Sequence, residues 1–280
     1  MQKLVIVLNQ RSKSFLPLAS VTPFELWPLG EQPFIQYLLD EAKEAGLTEV
    51  IIVGENKNKA VFSYLTAKGR AEKGSLGQAL SAWRGRQKEL SFQFVGSDRY
   101  LSSGEVVLKL KSKLKAPWAM VWPRGLLLDS IPSFAQLEKV FQTSQKPVLG
   151  LIEDDFNSRW RIETEKIAQR IFKISRLSPL KKKEKRDILN FSGYYILTPE
   201  VIPFLEALKK KGVKNEELEL EKGLSLMRES GQPVYGYQLK GEWLPVASKE
   251  DWLKADLNLL LGRSSIGTLA RDYLKEKHLC

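Results

Sequence analysis

Strand signals and helix signals alternate along most of this chain, and that alternation restricts the folds it can adopt. In the helix predicted to begin at Pro33, apolar residues recur at helical spacing, and Gly46 suits its C-terminal end. Stretches typical of strands lie on either side of such helices: Leu4–Leu8, Val50–Val53, Ser91–Val95, Trp118–Trp122 and Pro147–Ile152. The pattern predicts a layered α/β fold.

The second half of the chain continues this pattern. Lys166–Ser175 alternates as one half-buried strand, and Ser192–Leu197 is predicted to be a strand that runs into a helix capped by Thr198. Gln232–Val246 is predicted to be a pair of strands with a turn near Gly241.

Length and composition bound the class of protein. A chain of 280 residues can bury a full core. We predict one main domain over residues 1–263, followed by a C-terminal helix or tail over residues 264–280. The apolar runs are far too short to span a bilayer, and no signal-peptide pattern follows Met1. We therefore expect a cytoplasmic protein.

The chain has a single cysteine, Cys280, and a single histidine, His278. One cysteine excludes an internal disulfide framework and a cysteine metal site. One histidine near the end of the sequence argues against a histidine base, a histidine metal site and a Ser-His triad. Any catalysis would therefore depend on other residue types.

A net charge of +11 has two interpretations. It could attract an anionic partner, such as nucleic acid, a membrane surface or a phosphorylated ligand. Alternatively, it is a solvated basic surface. The positive charges cluster at residues 109–115, 181–186 and 209–214, and acidic residues flank two of these clusters. No nucleic-acid-binding motif accompanies the charge, so a solvated surface is the favoured interpretation and nucleic acid is not an expected partner.

Several stretches follow one another in an order that is more specific than any one of them. The strand Lys3–Leu8 leads into a polar loop, a Pro-Phe-Glu-Leu-Trp-Pro turn at Pro23–Pro28, a helix from Gln32 and the strand Val50–Val53. The order and spacing resemble the opening of the bacterial UTP–glucose-1-phosphate uridylyltransferases, which have a strand, a glycine loop, a Pro-Lys-Glu turn, a helix and a strand.

The resemblance continues at Tyr195–Glu200, Pro233–Gly241 and Trp252–Ala255, so it spans nearly the whole chain. It implies a three-layer α/β/α nucleotidyltransferase fold, Rossmann-like, with a mixed central sheet. It also implies a cleft that joins the α-phosphate of UTP to glucose 1-phosphate with the help of Mg²⁺. Such a reaction needs charge neutralisation and alignment of the phosphates more than covalent work by the protein.

The implied phosphate-binding residues are substituted in this chain. The family's glycine loop falls on a stretch without glycine, its arginine falls on Ser14 and its lysine falls on Phe24. Glycines allow backbone N–H groups to approach a triphosphate, and a cation offsets its charge. If this loop binds a nucleotide at all, the candidate residues are Asn9, Gln10, Arg11 and Lys13. A polar surface loop is the favoured interpretation.

The stretch that the resemblance assigns to uracil is also altered. Ser75–Ala79 matches the family motif by its letters but precedes the strand that should come before it. In the better alignment, Ser97 stands at the family's glutamine, Ser102 at its first glycine and Gly104 at its second. These three residues are the candidate uracil contacts.

The metal site implied by the resemblance has lost both carboxylates. Arg124 stands where one would follow the strand Trp118–Trp122, and Pro245 stands at the second. Carboxylate oxygens are what Mg²⁺ prefers, whereas arginine repels a cation and proline has no side-chain donor. Asp129, the nearest acid, lies several residues late. We predict that no metal and no cofactor is bound.

The sugar-phosphate site implied by the resemblance is equally changed. Trp160 and Arg161 replace a Tyr-Gly pair, and the family's Glu-Lys pair falls near Ser178 and Pro179. The remaining candidates there are Lys181, in a basic run that could substitute for the missing lysine, and Gly193.

The sequence therefore predicts a nucleotidyltransferase-fold protein that has lost catalysis and has a regulatory or structural role. Its expected partner is an active relative or a second copy of itself. One alternative is an active uridylyltransferase that makes UDP-glucose with divergent site residues. Another is a basic module that binds nucleic acid or anionic lipid on the same fold.

Overall fold

The computed structural model describes residues 1–8, 15–66, 89–153, 160–180, 189–262 and 264–278. Within these ranges the strands are β1 Lys3–Leu8, β2 Pro28–Leu29, β3 Gln32–Pro33, β4 Glu49–Glu55, β5 Ser91–Ser97, β6 Trp118–Val121, β7 Gly125–Leu128, β8 Val148–Glu153, β9 Trp160–Ala168, β10 Ile171–Pro179, β11 Leu189–Leu197, β12 Tyr235–Gln238 and β13 Glu242–Pro245. The helices are α1 Phe34–Glu44, α2 Lys59–Thr66, α3 Ser103–Lys109, α4 Ser133–Ser144, α5 Val201–Lys210, α6 Leu220–Glu229, α7 Lys249–Gly262 and α8 Ser264–Glu276.

The described strands build a large mixed sheet in the order β5-β4-β1-β6-β11-β8-β12-β10-β9. The strands β5, β4, β1 and β6 are parallel to one another. β11 is antiparallel to both of its neighbours, β6 and β8. β12 runs parallel to β8, while β10 and β9 complete the sheet as an antiparallel pair.

Apolar side chains on both faces of the sheet explain why β1 is a continuous hydrophobic run. Leu4, Ile6 and Leu8 pack into one core cluster, and Val5 and Val7 pack into the other. A strand that is covered by helices on both faces has no solvent side on which polar residues would alternate. The two clusters place helices on either side of the sheet, which is the expected three-layer arrangement.

Helix α1 forms as the sequence predicts. Pro33 precedes it, in the position where its missing N–H costs nothing, and Gly46 follows it with φ of +76°. Phe34, Leu38 and Ala42 are fully buried against the core. The spacing of these three residues therefore predicts the buried face of the helix correctly.

The prediction of one strand over Lys166–Ser175 was wrong. The structure has a hairpin there, with β9 and β10 antiparallel and a turn between Ala168 and Ile171. Arg170 adopts a left-handed conformation (φ +63°), and its guanidinium donates to the carbonyl oxygen of Leu239 at 3.3 Å. This turn contains no glycine or asparagine, so the alternation of side chains runs through it without a visible break.

The predicted pairing within Gln232–Val246 was also wrong. β12 enters the main sheet between β8 and β10, whereas β13 leaves it and pairs with β7. The chain changes direction near Gly241, as predicted, and the φ of +129° at that residue suits glycine. Thr198 does not cap the next helix as predicted, because α5 begins at Val201 and Glu200 holds its N-cap position. The Thr198 hydroxyl donates to the Glu200 carboxylate at 2.7 Å.

None of the described helices combines the length and the apolar character needed to cross a membrane.

Candidate functional site

The positions that the resemblance assigns to metal ligands lie side by side in the structure. In the small sheet, Gly125 of β7 faces Pro245 of β13, and the amide of Val246 donates to the carbonyl oxygen of Arg124 at 2.8 Å. The chain positions of Arg124 and Pro245 thus converge although 120 residues separate them in sequence. We call these two positions the Arg124–Pro245 frame. The resemblance assigns a carboxylate to each of them, and the side chains here are a guanidinium and a pyrrolidine ring.

These residues do not fit a magnesium site. Arg124 is cationic and Pro245 offers no side-chain oxygen, so neither can replace a carboxylate ligand. Asp129 accepts hydrogen bonds from the Ile131 amide at 2.9 Å and from Ser130, which hold the pKa of this exposed carboxyl below its usual range. Within the described residues, no group of three or more His, Cys, Asp or Glu side chains is placed to hold a metal ion.

A polar cluster that the sequence analysis missed surrounds Arg124. The Tyr195 hydroxyl donates to Glu221 at 3.3 Å, and the Ser103 hydroxyl lies 3.4 Å from the other oxygen of that carboxylate. Burial raises the pKa of Glu221, the neighbouring charge of Glu219 raises it further, and the charge of Arg124 opposes both. The pKa of Tyr195 is well above its usual value, chiefly through burial and then through Glu221. Arg124 is therefore close enough for its charge to offset part of the negative charge at Glu221.

The signal for this cluster is the alternation Glu217-Leu218-Glu219-Leu220-Glu221. Leu218 and Leu220 are fully buried, and the acids that alternate with them have other partners: Glu219 accepts from Trp160 and Glu221 accepts from Tyr195. Alternation of this kind, directly before an amphipathic helix, could have directed attention to Glu219 and Glu221.

The segments assigned to the sugar phosphate also meet. In the β9–β10 hairpin, Trp160 faces Pro179 and Arg161 faces Ser178. The ring N–H of Trp160 donates to Glu219 at 3.1 Å, which joins this hairpin to the acidic cluster. Bulky side chains therefore occupy the positions where the resemblance has Tyr-Gly. The neighbouring candidate, Lys181, lies outside the described residues.

Gly193 lies next to the metal-site frame. Its carbonyl oxygen accepts a hydrogen bond from the Trp122 amide at 2.8 Å, two residues before Arg124. Its φ is +91°, and a Cβ atom there would collide with the Trp122 carbonyl oxygen. The backbones of Gly193 and Trp122 lie too close together for a side chain at position 193, which accounts for the glycine. Their hydrogen bond keeps β11 beside the end of β6.

Phe24, at the position of the family lysine, is a core residue. Its side chain is only 3% exposed, and its ring stacks on Phe15 with 4.4 Å between centroids. Trp27 and Phe34 complete an aromatic cluster around it. An apolar side chain enclosed in this way cannot neutralise a phosphate. The other candidate phosphate contacts, Asn9, Gln10, Arg11, Lys13 and Ser14, lie outside the described residues.

The candidate uracil residues take part in packing α3. Ser102 is the N-cap of this helix, and its hydroxyl lies 2.6 Å from the Asn215 carbonyl oxygen and 2.8 Å from that of Leu218. Gly104 donates its amide to the same Leu218 oxygen at 2.8 Å, and a side chain at Gly104 would strike that oxygen. Ser97 ends β5, and its hydroxyl oxygen accepts the Arg99 amide. The Ser102 hydroxyl and the Gly104 amide are thus engaged inside the protein.

This fold is similar to that of solved UDP-glucose pyrophosphorylases. It matches UDP-glucose pyrophosphorylase complexed with UDP-glucose at a TM-score of 0.81 and 22% identity, covering 94% of this chain and all of that one. It matches the UTP-bound UGPase from Acinetobacter baumannii at a TM-score of 0.81 and 18% identity, covering 99% of each chain. The predicted α/β fold with a mixed central sheet is confirmed.

The sequence comparison is more specific. The chain is 26% identical to the UTP–glucose-1-phosphate uridylyltransferase of Staphylococcus haemolyticus, over 94% of this chain and 93% of that protein. It is 24% identical to the enzyme of that name from Mycoplasma pneumoniae, over 95% and 94%. No protein-family model matches. The predicted resemblance is confirmed: the chain is a divergent relative of the UTP–glucose-1-phosphate uridylyltransferases.

Proposed function

We propose that this protein is a non-catalytic relative of the UTP–glucose-1-phosphate uridylyltransferases, with a regulatory or structural role. The proposal rests on one observation: Arg124 and Pro245, which stand where the resemblance assigns the carboxylate ligands of a metal ion, occupy adjacent positions. A fixed guanidinium there repels Mg²⁺, and metal-ion charge stabilisation supplies several kcal/mol in reactions of this kind.

Two further observations support the proposal. Phe24 is enclosed in an aromatic cluster, which places a core side chain at the position of a phosphate-binding lysine. Trp160 and Arg161 fill the space that the resemblance gives to a small residue and the sugar. Each change alone would weaken transfer; together they remove the charge neutralisation and the alignment on which transfer depends.

The alternative is an active uridylyltransferase with rearranged site residues. Similarity over almost the full length of both chains favours it, because nearly the whole of the relatives' sequence has a counterpart here. In that case the charges would come from Arg11, Lys13 and Lys181.

A turnover assay separates the two functions. The protein is incubated with UTP, glucose 1-phosphate and Mg²⁺, and pyrophosphate release is followed, with a sequence-similar uridylyltransferase as the positive control. We expect no release above background. Turnover of roughly one per second or faster, which is ordinary for an enzyme, would sink the non-catalytic function and leave the active one.

The proposed role needs a partner, which is an active uridylyltransferase or a second copy of this chain. Exposed apolar side chains on the two C-terminal helices support such a surface: Leu253, Leu257, Leu269 and Tyr273 are 44–72% exposed. Mass measurement in solution, alone and mixed with the active enzyme, tests this. A monomer in both samples would contradict the partner. The cytoplasmic location remains part of this proposal.

A further inference from the structure

A groove of about 770 Å³ lies between the C-terminal halves of α3 and α5. Five cationic side chains line it: Arg99, Lys109, Lys111, Lys209 and Lys210. The groove shares no lining residue with the Arg124–Pro245 frame. It therefore needs an explanation of its own.

The groove brings together two basic clusters that are far apart in sequence. The cluster at residues 109–115 begins with the last residue of α3, and the cluster at residues 209–214 begins with the last two residues of α5. A cation in the last turn of a helix stabilises the helix dipole, which accounts for Lys109, Lys209 and Lys210 one at a time. It does not account for two such helix ends at one groove, because their ammonium groups repel one another.

The acidic side chains in the groove are already engaged. Glu105 accepts two hydrogen bonds from the guanidinium of Arg99, at 2.5 and 3.1 Å. Glu206 pairs with Lys111 at 2.8 Å. Positive charge in the groove therefore exceeds negative charge by three. An anion seated among Lys109, Lys209 and Lys210 would relieve their repulsion.

The walls of the groove are held in place by hydrogen bonds. The Ser102 hydroxyl joins the start of α3 to the carbonyl oxygen of Asn215, which lines the groove. The Leu220 amide donates to Ser103 at 2.7 Å and fixes the same segment from its other end. A preformed cavity loses less entropy when it binds than a surface that must first be ordered.

We propose that this groove is a ligand site separate from the Arg124–Pro245 frame, and that it takes a small molecule carrying a chain of two or more phosphate groups. The three lysines supply the charge for the phosphates. Leu101 and Leu108 give the groove an apolar part, and the Asn215 side chain offers an amide, so an organic group attached to the phosphates has contacts too. The concave shape and limited volume favour a small ligand over a nucleic-acid duplex.

Inorganic tripolyphosphate is a suitable probe, because it has neither a base nor a sugar for the nucleotide cleft. Binding is measured by calorimetry at an ionic strength of about 0.15 M, where long-range attraction between exposed charges is screened. The test variant is Lys109→Gln with Lys209→Gln and Lys210→Gln. The matched control, Lys113→Gln with Lys211→Gln and Lys214→Gln, removes the same charge outside the groove lining.

We expect saturable binding at one site, a loss of about tenfold or more in the test variant and a change within about twofold in the control. Arg124→Gln, in the cleft, should bind as the unmodified protein does. If the test variant is destabilised, Lys210→Gln alone should still lose about threefold. The proposal is overturned by the absence of saturable binding, by equal losses in the test and control variants, or by a loss confined to Arg124→Gln. Single-stranded RNA that binds more tightly than the probe and depends equally on both lysine sets would overturn it as well.

Discussion

At the scale of single residues, Phe24 stands where the resemblance expects a lysine, and it is a core residue. Its ring contacts Phe15, Trp27 and Phe34 and is almost fully buried. A lysine there would place an ammonium group in an almost fully buried position, where it would lose its hydration.

We therefore predict that Phe24→Lys lowers the free energy of unfolding by about 3–5 kcal/mol, through loss of packing and burial of a charge. Phe24→Leu, the control, should cost about 1–2 kcal/mol because it stays apolar. Urea denaturation followed by tryptophan fluorescence measures both. Equal stabilities of Phe24→Lys and the unmodified protein would contradict the described position of this ring.

Glu25, the next residue, gives a pH-dependent prediction. It is 2% exposed, and burial raises its pKa to about 7 from 4.5. Because the folded-state pKa exceeds the unfolded value, the folded protein binds more protons between these two pKa values. The contribution of the Glu25 carboxyl to the free energy of unfolding is fully present below about pH 4.5 and is lost as the pH rises through 7.

Replacing Glu25 with glutamine should remove that dependence. We expect the difference in unfolding free energy between Glu25→Gln and the unmodified protein to shift by roughly 3 kcal/mol in favour of the variant from pH 4.5 to pH 8. Denaturation at several pH values measures this difference, and Glu250→Gln on the exposed start of α7 serves as the control. Parallel curves for Glu25→Gln and the unmodified protein would show that Glu25 titrates normally.

At the same scale, the sequence predicted which positions are substituted but not what surrounds them. Arg124 and Pro245 follow from alignment alone. The partners Tyr195, Glu219 and Glu221 do not, because they come from a strand and from a helix start that only the folded sheet places beside Arg124.

At the scale of elements, buried periodic stretches were predicted correctly and irregular ones were not. The apolar pattern of α1 matches its packing into one core cluster, and the continuous apolar run of β1 matches its packing into both clusters. The β9–β10 turn has no glycine and depends on Arg170 bonding to carbonyl oxygens near the end of β12, 68 and 69 residues away. The separation of β12 from β13 is likewise decided by distant partners, β8 and β7. Local sequence carries little information on either.

Helix α3 provides a test of how the elements near both sites are held. Ser102 is the N-cap of this helix, and its hydroxyl oxygen accepts the backbone N–H of Glu105 in a capping box. The same hydroxyl lies within hydrogen-bond distance of the carbonyl oxygens of Asn215 and Leu218, in the segment before α6. We predict that Ser102→Ala costs about 1–3 kcal/mol, because it removes a cap and leaves buried carbonyl oxygens with fewer donors. Ser112→Ala, on an exposed residue, should cost less than about 0.5 kcal/mol. Thermal melts of both variants measure the difference; equal costs would mean that Ser102 does not hold the two segments together.

At the scale of the whole molecule, the α/β layering was predictable from the alternation of strand and helix signals along the chain. The mixed sheet was predictable only through the resemblance to the uridylyltransferases. The similarity to uridylyltransferases at 24–26% identity agrees with that prediction. Two of the substituted site positions, Arg124 and Pro245, lie at the ends of the paired strands β7 and β13. Those positions tolerate substitution because the sheet behind them is stabilised by its own two cores.

The same separation between frame and site leads to a prediction about restoring activity. Arg124→Asp alone places a carboxylate in the frame but leaves Pro245 without a donor and removes a cation whose charge favours ionised Glu221. Pro245→Asp alone adds a carboxylate near Arg124. The guanidinium would pair with that carboxylate, so the carboxylate would not be available to Mg²⁺. Groups that act as a unit are strongly non-additive, so neither variant should make detectable UDP-glucose.

The double variant should differ from both singles in metal binding but not in turnover. Pro245 pairs with Gly125, the residue after Arg124, so the two positions are neighbours at the β7–β13 pair with an offset of one residue. Two aspartates there can share a divalent ion when both carboxylates turn to the same side of the pair. We expect calorimetry to detect Mn²⁺ or Mg²⁺ binding by Arg124→Asp with Pro245→Asp and none by either single variant. UDP-glucose synthesis should stay undetectable in all three, because Phe24 remains buried where the reaction needs a cation. Synthesis by a single variant would mean that charge neutralisation survives elsewhere in the cleft, and the absence of metal binding by the double variant would mean that these two positions do not form the frame of a metal site.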